Sequence, residues 1–163
     1  MTDFDQVIRN GRLATAADVM DCDIGIRNGQ IVALAQGLRG TQEIDASGKW
    51  VLPGGVDAHC HLDQPMSDGS VMADDFYTGT VSAAFGGTTT VIPFACQMRG
   101  QSLKDAVVDY HQRAEGKPVI DYAFHLIVSD PTSDVLDHEL PQLVGSGYSS
   151  FKVYMTYDDL KLD

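Results

Sequence analysis

Asp57-Ala58-His59-Cys60-His61 closes a hydrophobic run that starts at Trp50 and passes through Pro53-Gly54-Gly55-Val56. In an extended strand alternate side chains share a face. His59 and His61 therefore point the same way, close enough for two imidazoles to grip one cation, while Ala58 and Cys60 face the opposite wall. Zinc sites normally take three or four ligands, so the pair by itself is also compatible with hydrogen-bonded core histidines. Asp57 shares the histidine face and can either orient an imidazole as an outer carboxylate or cap a turn.

A second chemical signal lies far along the chain, at Ser149-Ser150-Phe151-Lys152-Val153-Tyr154-Met155. Its alternation predicts a strand buried on both sides, with Phe151, Val153 and Met155 on one face and Lys152 and Tyr154 on the other. Lysine is almost never buried without a partner. A buried ammonium loses its proton more readily and becomes a nucleophilic amine, and such an amine adds carbon dioxide to give a carbamate. That group is an anionic, two-oxygen ligand able to bridge two metal ions. The competing reading is a lysine that snorkels out of a strand end.

The elements that must carry these residues fall into two blocks. Residues 1 to 52 read as short strands with turns, Gln6-Val7-Ile8-Arg9 before Asn10-Gly11 and Cys22 to Arg27 before Asn28-Gly29, followed by Gln30 to Leu34. Both Asn-Gly pairs favour type I′ hairpins, and the block is expected to be part of a small antiparallel β-sandwich. From residue 53 the pattern alternates strand and helix, the mark of a parallel sheet. Strands are predicted at 51–59, 88–94, 119–128 and 149–155, and helices at about 74–85, 102–115 and 132–145, with Ser102 and Thr132 or Ser133 as N-caps. His125, on the third strand, either lines the site or is a satisfied core histidine. Cys60 should pack against a helix.

Composition narrows the function classes. With 23 acidic and 11 basic side chains among 163 residues the formal charge is -12, which repels phosphate backbones and anionic bilayers. Neither nucleic acid nor membrane is an expected partner. Cys22, Cys60 and Cys96 are odd in number and widely spaced, so they suggest a reducing cytoplasm rather than a disulfide framework. No signal peptide or membrane span is legible.

These motifs together resemble the cyclic amidohydrolases, within them the dihydropyrimidinase and D-hydantoinase branch. The resemblance is carried by Leu52-Pro53-Gly54-Gly55-Val56-Asp57-Ala58-His59-Cys60-His61-Leu62-Asp63-Gln64-Pro65, by Asp74 to Thr80, by Gly86-Gly87-Thr88-Thr89-Thr90-Val91-Ile92 and by Ser150 to Tyr157. It implies an α/β fold: a partial (β/α)8 TIM-type barrel, its first half, preceded by part of the sandwich. A complete barrel of this type takes about 250 residues, so the chain is expected to stop just past the fourth strand, incomplete and inactive alone.

By the same resemblance His59 and His61 bind the more buried of two divalent metal ions, and carboxylated Lys152 bridges both. Zinc suits imidazole and carboxylate-type oxygen, with manganese or cobalt as substitutes. The implied reaction is hydrolysis of the C–N bond of a cyclic amide or imide by a metal-bridging hydroxide, with Tyr157 donating to the developing oxyanion. Further ligands and the general base would come from later strands. The loops after strands one, two and four would wall the substrate pocket, with Asp63, Met66, Phe94, Tyr154 and Leu160 as candidates. Allantoinases and dihydroorotases carry an arginine where this chain has Asp63, so a neutral hydantoin or dihydropyrimidine is the expected small-molecule substrate. The family is commonly tetrameric. The alternatives are an allantoinase or dihydroorotase type of hydrolase, and a non-catalytic dihydropyrimidinase-related assembly protein. Retention of His59, His61 and Lys152 favours an enzyme.

Overall fold

The computed structural model describes residues 4–66, 69–157 and 161–162. Close contacts divide the chain into two compact units, with the boundary between Pro53 and Gly54.

The first unit is one five-stranded sheet of β1 (Phe4–Ala14), β2 (Val19–Arg27), β3 (Gln30–Ala35), β4 (Gly40–Asp45) and β5 (Trp50–Val51), in the order β3-β2-β1-β4 with β5 also on β1. The β1–β2 and β2–β3 pairs are antiparallel, whereas β4 and β5 run parallel to β1. Leu13, Cys22 and Ile24 form its core. Asn28 and Gly29 have φ of 51° and 73°, the two positive values a type I′ hairpin requires, and they join β2 to β3.

Asn10-Gly11, expected to be a second such hairpin, is instead a bulge inside β1. Only Asn10 has positive φ, at 59°, and the register against β2 shifts between Ile8 and Gly11. The buried Asp23 carboxylate of β2 stabilises the bulge by accepting the N–H groups of Asn10 at 2.9 Å and Leu38 at 3.0 Å. These bonds hold its carboxyl below the usual carboxylate range. The chain reverses later, where the Thr15 hydroxyl accepts from the backbone of Ala17 and Asp18.

The second unit runs β6 (Gly55–Cys60), α1 (Phe76–Phe85), β7 (Thr88–Cys96), α2 (Leu103–Ala114), β8 (Asp121–Tyr122), β9 (His125–Ile127), a π turn over Val135–Glu139 leading into α3 (Leu140–Gly145), and β10 (Phe151–Lys152). The strands make a parallel sheet in the order β10-β9-β7-β6, with β8 on β7. This is the curled parallel sheet of a partial TIM-type barrel. Phe76, Leu103, Tyr110, Leu126 and Val135 belong to the core beneath the helices. Among the described residues no helix is long and apolar enough to cross a membrane.

Three expected strands differ in detail. The one predicted from residue 51 breaks at Leu52–Gly54: Trp50–Val51 pairs with β1, Pro53 has no N–H to give a ladder, and a Cβ on Gly54 would lie 2.0 Å from Thr89 Oγ1. The third divides into β8 and β9, although Ala123 N–H still reaches Val91 O at 3.1 Å. The fourth is short and is not buried on both sides. It pairs only with β9, at the sheet edge, and Phe151, Val153 and Met155 are 37%, 55% and 84% exposed.

Local capping explains where the helices start. Asp75 and Thr78 form a reciprocal capping box at α1. Ser102 accepts from Asp105 N–H at α2, and Thr132 Oγ1 accepts from Val135 N–H ahead of the π turn. α2 has a second cap from a distance: the buried Glu139 carboxylate accepts Leu103 N–H at 2.7 Å and Lys104 N–H at 3.4 Å.

Candidate metal centre

His59 and His61 lie at the carboxyl end of β6 with ring centroids 5.8 Å apart. Under them is Phe94 of β7, 5% exposed, whose ring is 5.0 Å from His59 and 5.1 Å from His61. From β10 the Lys152 ammonium reaches the same ring, 4.1 Å from its centroid. β6 and β10 are the two ends of the strand order, so twist and curl of the parallel sheet are what bring them together. Lys152 is half-buried rather than enclosed, resting between Phe94 and the Tyr154 ring at 4.8 Å.

The groups around the pair set its chemistry. His61 Nδ1–H donates to Gln64 Oε1 at 2.6 Å, which fixes the tautomer and leaves Nε2 with the lone pair a cation needs. Sequence reasoning passed over Gln64; an amide three residues beyond the second histidine was the available signal. Asp57 does not orient an imidazole: its Oδ1 accepts the His59 backbone N–H at 3.0 Å, the capping role. His125 has both ring nitrogens engaged, with Ser150 Oγ and Ala58 O, as a satisfied histidine should. Cys60 packs against the helix-side core. Burial, with a smaller push from the Asp57 charge, raises its thiol to about 11.

The expected pocket residues spread out. Tyr154 stacks edge-on with Tyr157 at 5.2 Å, and Tyr157 is 63% exposed. Met66 is exposed on the loop after β6. Phe94 is the floor of the centre and not an open wall, because its place on β7 turns it under the imidazoles. Asp63 also departs from expectation. At φ 49° it breaks the alternation of β6, and its carboxylate is held by Lys117 at 3.2 Å, with Arg113 at 3.9 Å. Its charge is thus balanced by two cations of the α2 end, and it ties a loop in place. Leu160 lies outside the described residues.

Two imidazoles, one with its tautomer fixed by an amide, and an amine that would offer oxygen donors if carboxylated are the kinds of donor that suit a borderline cation such as zinc. They fit as part of a coordination shell. Among the described residues no group of three or more His, Cys, Asp and Glu side chains gathers to complete it.

No family model matches the chain. A D-hydantoinase of Geobacillus stearothermophilus is 47% identical over 158 residues, 95% of this chain and 33% of the relative. A crystal structure of a D-hydantoinase superposes with a TM-score of 0.92 at 44% identity, and one of the dihydropyrimidinase from Brevibacillus agri NCHU1002 with 0.91 at 43%. Each covers 97% of this chain and 35% of the other. In sequence and fold the chain is similar to the corresponding third of D-hydantoinases and dihydropyrimidinases, and it spans about a third of the length of the relatives it matches.

Proposed function

We propose that the protein hydrolyses the C–N bond of a cyclic amide, with two divalent ions, zinc by preference, held in part by His59, His61 and carboxylated Lys152. The observation that supports this most is the convergence of both imidazoles and the Lys152 ammonium on the single Phe94 ring. Divalent ions held there would supply Lewis acidity towards a ring carbonyl. Within this chain His61 offers Nε2 because Gln64 holds Nδ1–H, Lys152 supplies the atom to be carboxylated, and the Tyr157 hydroxyl donates to the oxygen on which charge develops. The names of the relatives point to hydantoins and dihydropyrimidines as the ring class. Asp63 carries no weight in that choice, since Lys117 and Arg113 already balance its charge.

The test is zinc content and ring opening in the full-length protein and its Lys152→Ala variant. Release of the N-carbamoyl product from a hydantoin or dihydrouracil, with bound zinc, is expected of the wild type. Lys152→Ala should lose most of both, because the remaining ligands cannot neutralise two divalent ions. A variant that keeps two zinc ions and normal turnover would overturn the assignment.

A further inference from the structure

We infer that His125 is a positioning residue, one that sets the span between the histidine clip and the lysine strand through a single fixed tautomer of its ring. The inference rests on the metal-site reading above. His125 Nε2 lies 3.1 Å from the carbonyl oxygen of Ala58, and a carbonyl oxygen only accepts. The proton is therefore on Nε2. In the neutral ring Nδ1 then keeps its lone pair and accepts from the Ser150 hydroxyl at 2.5 Å. The imidazole is a strut with Ala58 at one end and Ser150 at the other.

Each end of the strut is next to a proposed ligand. Ala58 immediately precedes His59 on β6, and Ser150 stands two residues before Lys152 at the entrance to β10. β6 and β10 are separated in the sheet by β7 and β9, so among the described residues no backbone ladder joins the two strands directly. The Ser150 carbonyl also accepts Leu126 N–H at 3.1 Å, which anchors that end on β9 through backbone and side chain alike. The ring itself leans on Phe94, with centroids 5.3 Å apart and planes 35° apart. The same Phe94 ring supports His59, His61 and Lys152. Loss of the imidazole would release both strand ends and one side of the floor together, without touching any ligand.

Groups that orient metal ligands typically hold 10- to 100-fold of affinity, which sets the expected size of the effect. In His125→Gln the amide N–H can take the place of Nε2–H, whereas His125→Asn reaches only the Nδ1 position. Zinc affinity of the full-length protein should therefore fall about 10- to 100-fold in His125→Asn and His125→Ala, and less in His125→Gln, which keeps the Ala58 end and loses only the Ser150 contact. Ser150→Ala, which removes a single hydroxyl, should weaken zinc in the same direction with folding intact by circular dichroism. Nitrogen-15 NMR of the metal-free protein should show His125 protonated on Nε2 and bare on Nδ1 at neutral pH, and this readout is independent of whether the clip takes metal. A dominant Nδ1–H tautomer would overturn the strut, as would wild-type zinc affinity in folded His125→Asn and Ser150→Ala. If zinc binding is unchanged in Lys152→Ala, the metal-site reading fails, and the tautomer still decides the strut.

Discussion

The Lys152 ammonium stands 4.1 Å from the centroid of Phe94, the ring on which His59 and His61 also rest. A cation over an aromatic face gains about 0.5–1 kcal/mol at partly exposed sites, and the proposed carboxylation of the lysine would give that contact up. A carbamate there would have to be stabilised by what it binds in return.

Carboxylation is therefore expected to follow metal loading. With carbon-13 bicarbonate, NMR should show no carbamate on Lys152 in metal-free protein and a carbamate signal after zinc is added. A full signal before zinc would show that the lysine is carboxylated without metal.

Gln64→Ala should loosen zinc without unfolding the protein. The substitution removes the acceptor at 2.6 Å that keeps the His61 proton on Nδ1, and the imidazole can then present either nitrogen. A loss of about 10- to 100-fold in zinc affinity is expected. Competition with a chelator of known affinity measures it, and a wild-type value would remove Gln64 from the centre.

Tyr157→Phe should lower kcat about a hundredfold or more with little change in bound zinc, since it deletes one donor to the oxyanion and no ligand. Steady-state kinetics with a hydantoin, run beside metal analysis, decide the point. An unchanged kcat excludes the tyrosine from the reaction.

Glu139 makes α2 sensitive to acid. Burial pushes its carboxyl up, but the Ser102 side chain and the N–H groups of Leu103 and Lys104 outweigh it, and the group ends below the ordinary glutamate value of 4.5. A lowered folded value means that the stabilisation is fully present above pH of about 4.5 and is lost as pH falls through the folded value. Glu139→Gln should remove this part of the acid dependence. Urea midpoints compared between wild type and variant should differ most near neutral pH and draw together as pH falls through the lowered folded value, with a gap at neutrality on the order of 1 kcal/mol, typical of a lost cap. A gap that is constant with pH would contradict it.

Some of this was legible in the sequence because it depends on short range. The facing of His59 and His61 follows from the twofold period of a strand, the Asn28-Gly29 hairpin from two residues that tolerate positive φ, and the α2 start from Ser102. The alternation of strand and helix after residue 53 likewise needs only the local hydrophobic period. What the same patterns leave open is visible at Asn10-Gly11, where an identical dipeptide became a bulge because Asp23 of the neighbouring strand accepts its N–H.

The remaining features required the tertiary structure. Phe94 is the floor of the centre, and His125 spans Ala58 and Ser150, only because the parallel sheet curls until its end strands face each other. Asp63 found its partners for the same kind of reason: Arg113 and Lys117, some fifty residues on, are brought within reach by α2 packing on the sheet. A linear pattern records which face of its own element a side chain takes. Which partner then stands opposite is decided by strand order, curl and helix packing, and those are properties of the assembled chain.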